Sequence, residues 1–225
     1  VVRVHADELG GETTYRWAGA EQSVSSRLVL SGAAPAVLAR LMGQPDEPGR
    51  LPGAQLKINL LLERLPRWRS GIDSRTAFAG TLHVAERYSE LEAAFDAAVA
   101  GRLPMPQPGE FYCHSLTDPS ILGELAYAGA HTLTYFGLHM PEPLFTDNSA
   151  EQKQEAVRRA IAAIDVHLAE PLLDCVLTSP TGQPCVEAKI PQDIEADLAM
   201  PGGHIFHGDL AWPWASNREA LDTPA

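Results

Sequence analysis

The stretch that most constrains the fold is residues 55–66, with the sequence QLKINLLLERLP. Its leucines and isoleucine follow one another with few polar interruptions, which is typical of a strand buried on both faces. Pro66 ends it, because proline cannot donate the hydrogen bond that a strand ladder needs. We therefore predict a strand here whose two faces are both buried.

The first 32 residues predict a small β-meander. The segments VVRVHAD and TTYRWAG flank Gly10-Gly11, which supplies a permissive turn, and SSRLVLSG forms a third strand that ends at Gly32. Three such strands need a larger sheet or a helix to cover them. Residues 44–54 are dense in proline and glycine and predict a linker.

Beyond the linker, short strands are predicted at AGTLHVA, EFYCHS, HTLTYFGLHM and DCVLTSP. A helix begins at a capping box of Ser89 and Glu92 and ends at Gly101. The face that this helix buries is predicted to consist of Leu91, Phe95 and Val99.

A second helix is predicted from Ser149, capped against Gln152, to about Glu170. Its buried stripe consists of Val157, Ile161, Ile164 and Leu168. The segment PQDIEADLAM predicts a further short helix. Because strands and helices do not alternate strictly, we expect an α+β fold with a mixed, mostly antiparallel sheet covered by helices.

Composition excludes several classes of protein. A formal net charge of −12 argues against a nucleic-acid partner, which needs clustered Lys and Arg. No apolar run reaches the length of a transmembrane helix, and the segment VVRVHADELGG lacks the pattern of a secretory signal. The three cysteines have no CxxC spacing, so we expect buried thiols in a cytoplasmic protein.

The most unusual motif is MPGGHIFHGDLAWPW, residues 200–214. His204 and His207 are fewer than the three protein ligands of a catalytic zinc, so we predict no metal site. A metal-dependent hydrolase that takes a third ligand from elsewhere in the chain is the alternative. Trp212 and Trp214 flank Pro213 in an extended loop, which favours a binding surface.

Catalytic and nucleotide motifs are absent from these 225 residues: we find no GxSxG elbow, no HExxH, no GxGxxG and no P-loop. Cys113 and His114 are adjacent, but a strand sends neighbouring side chains to opposite faces. We therefore name no catalytic residue.

Several stretches, in this order, resemble the phytoene-dehydrogenase-like FAD-dependent oxidoreductases, which include pyridine nucleotide-disulfide oxidoreductase domain-containing proteins. They are SSRLVLSGAAP, LKINLLLERLPRW, FYCHSLTDPSIL, GAHTLTYFGLHMP and, most specifically, IPQDIEADLAMPGGHIFHGDL. The resemblance covers residues 1–212. Where relatives commonly carry an acidic residue before the proline of the first turn, this chain has Gly32-Ala33-Ala34-Pro35.

The resemblance implies a domain organisation. Residues 1–43 would be a β-meander remnant of the FAD domain, 44–54 a linker, 55–215 the substrate-binding domain of a flavoprotein, and 216–225 a tail. The parent protein would desaturate or oxidise an apolar substrate by hydride transfer to FAD. The fragment alone, without the glycine-rich turn, would be inactive and free of flavin. The alternative is a stand-alone, non-catalytic binding domain.

The resemblance also implies the residues of the site. Those beside the flavin would be Gly202, Gly203, His204, His207 and Gly208. Those in contact with substrate would be Phe206, Trp212, Trp214 and Tyr135. The partners expected are the remainder of the parent flavoprotein, with its FAD, and an apolar small molecule. The exposed cofactor-side face would also permit homo-oligomers.

Overall fold

The structure, a computed structural model, describes residues 1–45, 51–147 and 149–207. The chain divides into two units, one of Val1–Leu51 together with the chain from Ile194 onward, the other of Pro52–Asp193. Residues 194–207, assigned from the sequence to the substrate-binding domain, thus cluster with the N-terminal unit. No helix in the described part of the chain is long and apolar enough to cross a membrane.

The first unit contains the predicted meander: β1 (Arg3–Asp7), β2 (Gly10–Trp17) and β3 (Ala20–Ser26) pair antiparallel in that order. The turn between β1 and β2 lies at residues 8–9, where the Asp7 carboxylate accepts a hydrogen bond from the Leu9 amide at 2.8 Å. The predicted turn at Gly10-Gly11 is therefore wrong, because an aspartate side chain closes the turn one pair earlier.

The predicted third strand SSRLVLSG is also wrong. Ala18 and Gly19 have φ angles of 48° and 82°, and such a two-residue turn pairs Trp17 with Ala20. From that pair the register reaches Ser26 opposite Gly11, where β3 ends. Helix α1 (Pro35–Leu41) follows, with proline in its first turn.

The second unit is built on a five-stranded sheet in the order β5-β6-β7-β4-β8, in which every pair is antiparallel. Its strands are β4 (Leu56–Leu62), β5 (Leu82–Val84), β6 (Gly109–Tyr112), β7 (His131–Gly137) and β8 (Val186–Lys189). The predicted α+β class is confirmed. The predicted strand DCVLTSP is instead a 3-10 turn at Leu172–Cys175 followed by isolated bridges, one of them from Leu62 to Val176.

Strand β4 alternates between two environments. Leu56, Ile58, Leu60 and Leu62 are at most 4% exposed, whereas Lys57, Asn59 and Leu61 are half-buried. The prediction that both faces are buried is therefore wrong, because neighbouring strands also place polar residues on the second face. We call the side with Leu56 and Ile58 the apolar face of the sheet, and the side with Lys57 and Asn59 the polar face.

The remaining helices are α2 (Ser74–Ala77), α3 (Tyr88–Val99), α4 (Ser149–Asp165) and α5 (Pro191–Leu198), the last as predicted. Helix α4 joins the core of the apolar face through Ala156, Ala160, Ile161, Ala163 and Ile164. Ile161 and Ile164 of the predicted stripe are thus confirmed, and Val157 packs partly buried against the same core. The small alanines allow the helix to approach the sheet closely.

Helix α4 ends at Asp165, earlier than the predicted Glu170. The Asp165 carboxylate accepts a hydrogen bond from the Leu172 amide at 2.8 Å, which turns the chain. The segment that follows pairs with residues 67–69, through Arg69 N to His167 O and Ala169 N to Arg67 O. Leu168 is buried in this segment, beyond the helix.

Helix α3 differs from its prediction at the start and on its buried face. Its N-cap is Arg87, whose amide donates to the Glu90 carboxylate at 2.9 Å, so the Ser89–Glu92 box does not form. Ala94 and Ala97 are buried, whereas Phe95 and Val99 are 55% and 72% exposed. Small side chains permit closer packing than the larger apolar residues, and the predicted Gly101 terminus is confirmed with a φ of 70°.

A carboxylate ties the segment after β4 to the segment after α4. Glu170 accepts hydrogen bonds from the Arg64 guanidinium at 2.7 and 2.9 Å and from the Arg67 amide at 3.0 Å. The Arg64 hydrogen bond, followed by those from Arg67, lowers the pKa of Glu170 to about 2. This carboxylate therefore stabilises the fold in its charged form.

Replacing Glu170 with glutamine is expected to lower the free energy of unfolding at pH 7 by roughly 1 kcal/mol, a modest value because both arginines are exposed. The pKa of Glu170 is about 2 when folded and 4.5 ordinarily, so the stabilisation is present above 4.5 and lost as pH falls toward 2. Urea unfolding at pH 7 and pH 2.5 measures this, with Glu124→Gln on an exposed residue as control. An equal difference at both pH values would contradict it.

Candidate functional site

The polar face of the sheet gathers side chains from all five strands. Because side chains alternate along each strand and the register is known, the members of this face follow directly. They are Lys57, Asn59, Leu61, His83, Glu110, Tyr112, Thr132, Thr134, Phe136, Glu187 and Lys189. The face therefore combines hydrogen-bonding, charged and aromatic groups.

Hydrogen bonds fix the centre of this face. Asn59 accepts from the Thr134 hydroxyl at 3.2 Å and donates its amide to Glu187 at 3.1 Å. The hydrogen bond from Asn59, ahead of other effects, lowers the pKa of Glu187. Lys57 places its ammonium 5.6 Å from the centre of the Phe136 ring, within the range of a cation–π contact. These side chains are held in place by one another.

A cavity of about 560 Å³ lies on this part of the polar face. Its walls include Asn59, Leu61, Thr132 and Thr134 from the adjacent strands β4 and β7, and Cys185 from the segment before β8. The volume falls in the range of small-molecule sites, which are mostly apolar with a few placed polar groups. The cavity can hold an apolar molecule and offer it hydroxyl and amide contacts.

Tyr112 lies on β6, directly opposite Thr134 in the register of the polar face. Its ring meets Phe136 edge-on with centroids 5.8 Å apart and stacks on His114 at 5.9 Å. Its hydroxyl donates to the Glu110 carboxylate, and this hydrogen bond, together with burial, raises the pKa of Tyr112. Tyr112 is therefore a neutral hydrogen-bond donor at physiological pH.

Tyr135, implied as a substrate contact, lies on the opposite, apolar face. It is fully buried, and its hydroxyl donates to the carbonyl oxygen of Pro108 at 2.9 Å. Burial raises the pKa of Tyr135, so the hydroxyl stays protonated. The structure gives Tyr135 a place in the core, whereas its neighbour Phe136 lies on the polar face.

The glycine–histidine motif forms a tight turn in the first unit. Gly202 and Gly203 are buried, with φ angles of 65° and 63° that favour glycine. His204 Nδ1 accepts a hydrogen bond from the Phe206 amide at 3.2 Å, and the two rings meet edge to face. His207 is exposed. Gly208, Trp212 and Trp214 lie outside the described residues.

The alternative of a metal site at His204 and His207 needs a third ligand, and the part of the chain that the structure describes places none beside them. There, the group of ligand atoms close enough to share an ion is that of His83, Glu86 and Glu110. The sequence did not predict this group, because its members come from separate strands and a connecting segment. The alternation in LKINLLL and HTLTYFG was the signal that could have identified the polar face.

A second cavity, of about 460 Å³, lies between α4 and the segment Met105–Gln107. Its charged lining includes Arg158 and Arg159, which both donate to Glu155 at 2.6 Å. Arg159 also donates to the carbonyl oxygen of Leu103 at 2.5 Å. Both arginines already make hydrogen bonds within the protein, which leaves them less available to a ligand. We therefore take the polar face as the candidate site.

The chain is similar in sequence to parts of longer proteins. No protein-family model matches it. Uncharacterized proteins of Mycobacterium bovis and Mycobacterium tuberculosis are 48% identical over 228 residues, an alignment that covers the whole chain and 40% of each relative. Pyridine nucleotide-disulfide oxidoreductase domain-containing protein 2 of Rattus norvegicus is 28% identical over 214 residues, which cover 84% of this chain and 34% of that protein. The chain spans about 40% of the length of its mycobacterial relatives and has a distant, partial similarity to an oxidoreductase-domain protein.

Proposed function

We propose that this chain is the substrate-binding portion of an FAD-dependent, phytoene-dehydrogenase-like oxidoreductase, and that the polar face forms one wall of the substrate chamber. The observation that carries the proposal is the cavity of about 560 Å³ on that face, with its prearranged Asn59 and Thr134. The similarity to the rat protein supports an oxidoreductase parent.

The cavity's chemistry favours a mostly apolar substrate with one hydrogen-bonding group. Leu61 and Cys185 offer apolar contact, and Thr132 and Asn59 supply hydroxyl and amide groups. The charges of Lys57 and Glu187 are engaged with Phe136 and Asn59. A neutral substrate would leave these contacts in place.

The Gly202–His204 turn fits a place beside the flavin. Gly202 and Gly203 have no side chain and a φ that other residues rarely adopt, which allows the backbone to approach a flat ring closely. FAD, when bound, would accept the hydride, and the chain's own residues would bind and orient the substrate and exclude water. His204 presents Nδ1 to the Phe206 amide, which fixes the orientation of its ring.

The longest natural protein that contains this chain is expected to carry about one FAD per polypeptide, and the 225-residue chain alone none. Absorbance of the flavin released on denaturation measures both. Gly202→Val, at a φ of 65°, is expected to lose most of the flavin, whereas Gly32→Val, at a position where an added Cβ meets no heavy atom of the described residues within 4 Å, keeps it. Circular dichroism checks that both variants fold. Absence of flavin from the longer protein would contradict FAD as the cofactor. Flavin bound to the 225-residue chain alone would contradict the proposal that FAD needs parts of the protein outside this chain.

A further inference from the structure

We propose that His83, Glu86 and Glu110 form a binding site for a divalent metal ion at the β5 edge of the sheet. Their ligand atoms all lie within 4.8 Å of one another. His83 Nδ1 is 2.6 Å from Glu86 Oε2 and 3.6 Å from Glu110 Oε1. The inference goes beyond the proposed function and does not depend on it.

The fold holds the three side chains together. His83 and Glu110 are directly opposite in the register of β5 and β6, on the polar face. Glu86 follows β5 by two residues, where Ala85 adopts a φ of 54° that turns the chain back. The site is therefore set by strand pairing and by one turn rather than by flexible loops.

One carboxylate oxygen points to a missing ligand. The Glu86 side chain is only 15% exposed. Its Oε1 atom is buried from solvent and has no hydrogen-bond partner among the described residues. A buried polar atom without a partner is costly, and a cation that bound both oxygens of this carboxylate would satisfy it.

The surroundings support metal binding. Tyr112 donates its hydroxyl to Glu110, the kind of contact that orients a metal-ligating carboxylate. The side chains of His83 and Glu110 are 53% and 28% exposed, which leaves a path for an ion and room for water ligands. Zinc bound to both residues requires the 2.6 Å contact between His83 Nδ1 and Glu86 Oε2 to widen, because two ligand atoms about 2 Å from one ion lie roughly 3 Å apart.

The donor set indicates which ions fit. One imidazole nitrogen and two carboxylates suit Zn²⁺, Mn²⁺ or Fe²⁺, whereas Mg²⁺ and Ca²⁺ prefer oxygen ligands alone. With neutral His83 the three groups carry two negative charges, which a divalent ion balances. Three protein ligands also leave a coordination position for water, as in catalytic zinc sites.

Calorimetric titration of the chelator-treated chain with zinc chloride tests the proposal. We expect one Zn²⁺ per chain, and at least a tenfold loss of affinity in both His83→Ala and Glu110→Gln. His5→Ala is the matched control, because His5 lies 3.9 Å from Asp7 in an exposed His–carboxylate pair of the first unit. It is expected to leave the affinity unchanged.

Two further measurements keep the test decisive. Equal thermal unfolding of all variants in chelator shows that they fold, and zinc should raise the melting temperature of the unaltered chain but not of Glu110→Gln. Cobalt absorbance should show no thiolate charge-transfer band. The proposal is overturned by absence of stoichiometric binding, by binding that both variants retain, or by a cobalt–thiolate signal.

Discussion

Gly109→Ala is expected to lower the free energy of unfolding by about 3 kcal/mol or more, the upper end of the cost of overpacking a core. A Cβ at this position would meet the carbonyl oxygen of Phe136, and ring carbons of Tyr135 at 2.5 Å. Neither neighbour can move cheaply. The carbonyl belongs to β7 in the middle of the sheet, and the Tyr135 ring is fully buried and held through its hydroxyl to Pro108.

Gly80→Ala is the matched control, because a Cβ there meets no heavy atom of the described residues within 4 Å. Urea unfolding followed by circular dichroism compares the two variants with the unaltered chain. If Gly109→Ala lost no more stability than Gly80→Ala, the placement of Tyr135 over Gly109 would be wrong. The same ring also lies 2.9 Å from the Cβ that alanine would bring at Gly137, so Gly137→Ala should be destabilising too.

Local patterns in the sequence identified the strand β4, the helix α4 and the α+β class, because these depend on periodicity within one segment. They did not identify which side of a strand is covered. Both LKINLLL and HTLTYFG alternate, but only the packing of α4 decides that Ile58 and Tyr135 face the core while Asn59 and Phe136 do not. The same limit applies to helices: Phe95 of α3 was predicted to be buried because it is large and apolar, but it is exposed.

The candidate site was less accessible to prediction than the fold. Thr134 and Asn59 are 75 residues apart in the sequence, and only strand register brings their side chains into contact. His83 and Glu110 meet for the same reason. The glycine–histidine motif, by contrast, forms its turn from neighbouring residues, so its positive φ angles at Gly202 and Gly203 agree with the choice of glycine there.

The second large effect expected is a difference in distance to the flavin between the two sides of the sheet. A fluorescent donor at Glu187→Cys would lie on the polar face, whereas one at Gln154→Cys would lie on the exposed side of α4, which covers the apolar face. Packed layers are about 10 Å apart, so the donor on the polar face should be nearer to the FAD by at least about that distance.

Within these 225 residues, labelling is made specific in a Cys185→Ser background, and accessible cysteines elsewhere in the longer protein are replaced in the same way. Cys113 and Cys175 are buried, and burial raises the pKa of both thiols, so they react slowly with a thiol-directed dye. The same labelled protein freed of FAD serves as the donor-only reference, and retained FAD content shows that neither substitution disturbs the cofactor.

Energy transfer from these two donors to oxidised FAD, in the longest protein that contains the chain, tests most directly whether the polar face lines the substrate chamber. The proposal predicts that the donor at Glu187→Cys is quenched more strongly by FAD than the donor at Gln154→Cys. Stronger quenching of the donor at Gln154→Cys, or equal quenching of the two donors, would show that the polar face is not the side of the sheet nearer to the flavin.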